Sequence, residues 1–132
     1  MARPKSGDNQ TLTDTEVLIM NILWDLQDGT VHQVLEQLNS KQSKTYAYTT
    51  ISTLLRVLEK KQVVHSQKEG RGHRYFPSFA KSQYQQKATQ HLVNQVFEGQ
   101  TTALIRNLLG NASLTSKELA EVQTLLQQKS EK

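Results

Sequence analysis

The sequence predicts a mainly α-helical chain in which three helices are closed by one β-hairpin and followed by a helical tail. Three observations carry that reading. Capping pairs open amphipathic segments at Thr13 and Thr30, and a third such segment begins near Tyr48. The apolar period then drops from helical to alternating after Lys61. From Ser78 onward only helical periodicity is present.

A chain of 132 residues can build one compact core with a modest appendage. No apolar run of about 18 residues is present to span a membrane. The first ten residues lack the apolar stretch of a secretory signal, so a cytoplasmic protein is expected. Without cysteine there is no disulfide framework and no thiolate metal site. The net charge is only +4, but it is unevenly spread. Residues 1–36 carry two basic and six acidic side chains, a net of −4. Residues 41–74 carry eight basic (Lys41, Lys44, Arg56, Lys60, Lys61, Lys68, Arg71, Arg74) against Glu59 and Glu69, a net of +6. Such a division gives a directional field suited to docking one face on a polyanion. Charge alone is equally satisfied by an ordinary solvated surface.

Residues 1–10 carry no apolar periodicity and read as a flexible arm, whose Arg3 and Lys5 could touch phosphate. Thr13 with Glu16 forms a capping box, and Leu12 with Val17 the hydrophobic staple around it. Val17, Met20, Leu23 and Trp24 recur at helical spacing until Asp28 and Gly29 stop the first helix. Trp24, the single tryptophan, is expected in the core rather than stacked on a ligand. Thr30 and Gln33 cap a second helix whose stripe is Val31, Val34, Leu35 and Leu38. The polar segment from Asn39 to Lys44 is expected to be the connection.

The third helix, predicted from Tyr48 to Lys61, carries the strongest signal. Ile51, Leu54, Leu55 and Leu58 make one apolar face, while Thr49, Ser52, Thr53, Arg56 and Lys60 make a second stripe two residues out of phase. At about 100° per residue the two stripes lie on opposite sides of the helix. A helix that needed only solubility would favour Glu and Lys, because Ser and Thr are poorer helix formers. Short hydroxyls let a backbone approach DNA closely and bond phosphates or base edges, while Arg and Lys reach farther.

Val63 to Lys68, a Glu69-Gly70-Arg71-Gly72 turn and His73 to Pro77 read as a strand, a glycine turn and a returning strand. Three helices followed by a hairpin is the order of a winged helix-turn-helix, here expected over residues 11–78. Lys68, Arg71 and Arg74 surround the turn, where a wing would meet the phosphate backbone. The alternative is an ordinary surface hairpin whose charges protect its edge.

Residues 79–132 are expected to form a helical dimerisation region. Tyr84, Ala88, Leu92 and Val96 share one face with Val93 and Phe97, and Glu98-Gly99 closes that helix. A shorter helix holds Ala103, Leu104, Leu108 and Leu109. The last is capped by Thr115 and Glu118, stapled by Leu114 and Leu119, and continued by Val122, Leu125 and Leu126. About fifty residues in three amphipathic helices cannot close a core alone. Two copies burying Leu92, Val96, Leu104, Leu108, Leu119, Val122 and Leu126 against each other is the economical solution.

The stretch from Tyr46 to Lys60 resembles the recognition-helix region of the penicillinase repressor family (the BlaI/MecI/CopY group) of winged-helix transcriptional regulators. Met20-Asn21-Ile22-Leu23-Trp24, the strand His73-Arg74-Tyr75-Phe76-Pro77 and the segment Leu114 to Leu126 are similar to that family's first helix, wing strand and closing helix. The resemblance runs from about Leu12 to Gln128. It implies a cytoplasmic, dimeric repressor that binds a dyad operator, with Thr49, Thr50, Ser52 and Thr53 facing the groove and Arg71 and Arg74 in the wing. In the antibiotic-resistance branch it further implies a membrane sensor that triggers proteolysis in the C-terminal region and abolishes dimerisation. The matching bond is Asn107-Leu108, where family members often have Asn-Phe. The copper-responsive branch uses a C-terminal cysteine motif that this chain lacks. Val57 stands where the family often has Arg, with Arg56 one position earlier. Gln62 replaces the usual glycine after the recognition helix, so a left-handed cap there would be strained.

The expected function is therefore sequence-specific repression, without catalysis or cofactor. Each protomer would place its third helix in a major groove, with half-sites about one helical turn, roughly 34 Å, or a small multiple apart. Lys44, Arg56, Lys60, Lys61, Lys68, Arg71 and Arg74 would contact phosphates. A winged-helix module docking on a partner protein is the alternative, but such a surface favours aromatic or Arg anchors in an apolar patch. An enzyme or histidine metal sensor fits less well. His32, His65, His73 and His91 form no i, i+4 pair, although His65 and His73 could pair across the hairpin. There is no Gly-rich phosphate loop and no nucleophile elbow.

Overall fold

The computed structural model describes residues 12–41, 44–111 and 114–131; the arm expected over residues 1–10 lies outside them. The chain divides into two compact units, Met1–Thr89 and Gln90–Lys132. Its elements in order are α1 (Asp14–Leu26), β1 (Gly29–Thr30), α2 (Val31–Lys41), α3 (Tyr48–Lys60), β2 (Val64–Glu69), β3 (Gly72–Pro77), α4 (Lys81–Val96), α5 (Thr101–Asn111) and α6 (Ser116–Ser130). The first unit is a winged helix-turn-helix.

Local chemistry sets most element starts. The Thr13 hydroxyl accepts from the Glu16 amide at 3.2 Å, and the Glu16 carboxylate accepts from the Thr13 amide at 2.9 Å. Thr30 and Gln33 repeat the pattern at α2, and Thr115 and Glu118 at α6. Each pair satisfies two amide groups that the first helical turn leaves without partners.

The α1 face turned inward is fuller than its sequence pattern suggests. Ile19 and Ile22 are buried with Met20 and Leu23, whereas Val17 and Trp24 are only half-buried. Trp24 instead ties α1 to the chain beyond the wing. Its indole N–H donates to the Phe79 carbonyl at 3.0 Å, and its ring lies 5.8 Å from that of Tyr84. Phe79 and Tyr84 both pack against the core of the first unit.

A short strand joins the hairpin. Gly29 and Thr30 pair with Tyr75 and Arg74, so the sheet is three-stranded and antiparallel, in the order β1-β3-β2. The α1 helix ends on a left-handed Gln27 with φ 79°, and Gly29 is strand, not cap. The expected Asn39 to Lys44 connection is shorter, because α2 runs to Lys41. The Asn39 side chain then holds the backbone of Tyr46, donating to its carbonyl and accepting from its amide at 2.8 Å. β2 and β3 are joined by the two residues Gly70 and Arg71, with Glu69 opposite Gly72. Gly70 alone has positive φ, 60°, the sign pattern of a type II′ turn matched to strand twist.

In the second unit Val93 is buried, while Val96, Leu108, Leu125 and Leu126 stand between 48% and 64% exposed.

The end of α3 is a Schellman cap built on a residue with a side chain. The Val63 amide donates to the Leu58 carbonyl and the Gln62 amide to the Glu59 carbonyl, with Gln62 left-handed at φ 67°. Leu58 and Val63, both buried, supply the apolar contact that accompanies this motif. A left-handed non-glycine residue carries a cost of roughly 1–2 kcal/mol. Glycine would relieve that strain but lose more chain entropy on folding, so Gln62→Gly is expected to stabilise the protein by about 1 kcal/mol. Urea unfolding of the two proteins checks this; unchanged or lower stability would show that the Gln62 conformation is unstrained.

Candidate nucleic-acid interface

The geometry of the site begins with α3. Ile51, Leu55 and Leu58 are fully buried, and Leu54 is half-buried beside them. On the other side Thr49, Thr50, Thr53, Arg56 and Lys60 are exposed and Ser52 is half-buried. The hydroxyl stripe therefore lies on the surface. The helix begins at Tyr48, and its N-cap Ala47 makes no side-chain cap hydrogen bond.

The hairpin stands beside this helix. The Ser66 hydroxyl donates to Glu59 at 2.7 Å, linking β2 to α3. A cleft of about 320 Å³ between them is lined on the helix side by Tyr48, Ser52, Arg56 and Glu59, and on the wing side by Ser66, Arg71, His73 and Tyr75. Two arginines, one histidine, two serine hydroxyls and the Glu59 carboxylate thus border one opening. Burial pushes the Tyr75 phenol up from its ordinary value, helped by the negative charge of Glu59.

Strand alternation divides the wing residues. Lys68 pairs with His73 and Ser66 with Tyr75, placing these four on the face that includes the buried Tyr75 ring. Gln67 pairs with Arg74 and His65 with Phe76, on the opposite face. His65 stacks on Phe76 with centroids 5.3 Å apart and planes at 11°. The His65–His73 pairing that the disfavoured metal-sensor alternative left open is not formed, because those side chains point to opposite faces. Among the described residues no three His, Cys, Asp or Glu side chains gather as a metal site, and no helix is long and apolar enough to cross a membrane.

Two of the expected phosphate contacts, Lys61 and Arg74, are engaged in ion pairs. Lys61 donates to both carboxylate oxygens of Glu16 at 2.9 and 3.1 Å, and the Glu16 side chain is only 3% exposed. Burial raises the Glu16 pKa, but the Thr13 amide and the Lys61 ammonium outweigh it and hold the carboxyl below its ordinary value. Lys61 is thus the counter-charge of a buried acid. Arg74 donates through Nε and Nη2 to the two oxygens of Glu69 at 2.8 and 2.9 Å, and through Nη1 to Asp28 at 2.7 Å and Gln33 at 3.2 Å. These bonds lower the Glu69 pKa and raise that of Arg74. The remaining cations are open. Lys44, whose ammonium lies 5.3 Å from the Tyr46 ring centroid, Arg56, Lys60, Lys68 and Arg71 are all exposed and form no ion pair among the described residues.

Sequence reasoning missed Tyr48 and His73, which line the cleft, and chose Arg74 on its charge, its place beside the wing turn and the family resemblance. The alternation that separates His73 from Arg74, and that sets Glu69 five residues from Arg74 on the same strand face, was available in the sequence; Asp28 on Arg74 and Glu16 on Lys61 were not, since they lie 46 and 45 residues away.

A family model described as penicillinase repressor matches residues 12–128. The chain belongs to the penicillinase repressor family. It is 26% identical over 117 residues to the penicillinase repressor of Bacillus licheniformis, covering 89% of this chain and 90% of that protein. It is 25% identical over 124 residues to the methicillin resistance regulatory protein MecI of Staphylococcus aureus strain N315, covering 92% and 99%. The solution structure of the DNA-binding domain of the repressor BlaI aligns at 28% identity, covering 56% of this chain and 88% of that one, with a TM-score of 0.49. Arg56 is exposed on the cleft and Val57 is half-buried.

The Glu16–Lys61 pair yields a test that separates structure from binding. Removing one partner of a buried pair costs about 3–5 kcal/mol, and the partial exposure of Lys61 reduces this to about 2 kcal/mol. The folded-state pKa of Glu16 is lowered, so the pair contributes stability above the ordinary value of 4.5 and loses it as pH falls through the folded value. Lys61→Ala is therefore expected to destabilise most at neutral pH and progressively less in acid, while the salt dependence of DNA binding stays unchanged. A reduced salt slope without loss of stability would return Lys61 to the phosphate contacts.

Proposed function

We propose that this DNA-binding transcriptional repressor acts as a homodimer on a dyad operator, each protomer laying α3 in a major groove and its wing on the flanking phosphates. The observation that carries this reading is the two-sided α3, with Ile51, Leu55 and Leu58 buried and Thr49, Thr50, Ser52 and Thr53 turned outward. Short hydroxyl side chains on an exposed helix permit close approach to base edges. Arg56 and Lys60 continue the stripe toward the backbone, with Lys44 before it and Lys68 and Arg71 on the wing. Phosphate contacts of this kind fix register and orientation rather than sequence.

The exposed leucines and valines of the tail support the dimer. Leu92, Val96, Leu108, Leu119 and Leu126 are at least 40% exposed in a single chain, and Leu104 and Val122 are half-buried. A second copy is the partner that covers them and sets the spacing of the two winged helices. Release by a sensor-linked protease fits the same arrangement. Asn107 and Leu108 are exposed on α5, and a cut between them separates Leu119, Val122 and Leu126 from the DNA-binding half. Losing the linkage between two half-site binders removes their effective concentration, which is worth about 10²–10⁴ in affinity. Such a protein acts in the cytoplasm, where its operator lies.

Selection of bound sites from random DNA is expected to return a dyad whose half-sites are separated by about 34 Å or a small multiple. With five open cations per protomer, the slope of log affinity against log salt should approach about −4.5 for each half-site. Arg71→Ala should weaken binding to every sequence and reduce that slope by about 1, whereas Thr53→Ala should shift base preference by about 1–2 kcal/mol at one position. Equal loss of specificity in both variants would contradict these roles.

A further inference from the structure

Arg74 is the most heavily bonded cation of the wing, and none of its bonds faces the cleft. It holds both oxygens of Glu69, together with Asp28 and the Gln33 amide oxygen. Gln33 Oε1 is also the acceptor that caps α2. The cross-strand register explains how this is possible. Arg74 sits opposite Gln67, and Glu69 is one step further toward the turn on the same strand face, so the two side chains meet diagonally.

Glu69 is the last residue of β2, and Arg71 follows two residues later in the turn. Arg71 is exposed and forms no ion pair among the described residues. Arg71 lines the cleft, whereas Glu69 and Arg74 share the opposite strand face; freed of Arg74, Glu69 is the carboxylate nearest to Arg71 along the chain. A bidentate arginine–carboxylate fork is the stronger of the available geometries, and Asp28 holds Arg74 in place to form it.

We propose that Arg74 is a positioning residue that sequesters Glu69, keeping this carboxylate off Arg71 so that Arg71 remains the open cation at the wing tip. Its contribution to DNA binding is made through another side chain rather than through a phosphate. The idea rests on the reading of Arg71 as a phosphate contact, and it adds that the acidic residue beside the turn must be held back for that contact to form. Charge count is not the operative quantity: the wing has two arginines, and one is spent on restraining the acid that would cancel the other.

The test is a double-mutant cycle on the full chain, read by fluorescence anisotropy on a labelled duplex of mixed sequence across a salt series. Arg74→Gln is expected to weaken binding about tenfold and lower the salt slope by close to one, because Glu69 now pairs with Arg71. Arg71→Ala should do the same, and adding Arg74→Gln to it should cost less than about twofold more. Glu69→Gln with Arg74→Gln should return affinity and slope to near the parent values, and Glu69→Gln alone should bind no more weakly than the parent. A direct phosphate contact by Arg74, or a simple effect of net charge, instead makes the losses from Arg71→Ala and Arg74→Gln multiply, and that result overturns the proposal. So does parent-like binding by Arg74→Gln while Arg71→Ala is impaired, or weakened binding by Glu69→Gln. Parent-like binding by Arg71→Ala removes the wing contact itself, and its own unchanged slope marks that failure apart from the others. The thermal transition of Arg74→Gln checks its folding; Glu69→Gln, which leaves Arg74 on Asp28, gives a reading independent of that outcome.

Discussion

Everything in the binding half depends on the fixed rotation of α3 about its own axis. Ile51, Leu55 and Leu58 are fully buried against α1, α2 and the sheet, and each such side chain is worth about 1.5–3 kcal/mol when removed from water. Turning the helix to hide its hydroxyls would expose all three. The core therefore determines which residues face outward, and it does so without any contribution from DNA. The Schellman cap at Gln62 and the Ser66–Glu59 hydrogen bond extend the constraint to the wing, so helix and hairpin present one surface.

Charge in this protein is sorted rather than summed. The basic block from Lys41 to Arg74 suggests a broad cationic face, but its members have two different occupations. Lys61 compensates Glu16, an acid that also caps α1 through the Thr13 amide; one carboxylate thus links a local helix start to the far end of α3. Arg74 joins Glu69, Asp28 and Gln33 at the base of the wing. Lys44, Arg56, Lys60, Lys68 and Arg71 carry the field that reaches a polyanion. A buried charge pair is specified by geometry more than by strength, since desolvation consumes much of the attraction.

What could be read from the sequence was local. Capping boxes at Thr13, Thr30 and Thr115 stand where their spacing places them, because the chemistry involves residues three apart. The two stripes of α3 follow directly from helical geometry, and the hairpin from alternation around Gly70. What could not be read was non-local or too short to have a period. Strand β1 has two residues and owes its existence to pairing with Arg74 and Tyr75. Gly29 looked like a helix stop, yet the left-handed residue is Gln27, since the turn needed its reversal two positions earlier. Trp24 matched a core pattern, but its indole N–H is used on the Phe79 carbonyl, which no spacing rule anticipates. Lys61 was assigned by sign, and Arg74 by sign and by its place on the wing; only the folded chain shows that Glu16 and Asp28 hold them.

The most direct measurement of the central claim is a map of amide chemical-shift changes when a selected operator duplex is titrated into the full-length protein. The account predicts that the largest changes cluster on Thr49, Thr50, Ser52, Thr53 and Arg56, with a second group around Arg71. Changes centred on α5 and α6, leaving the outer stripe of α3 unperturbed, would contradict it.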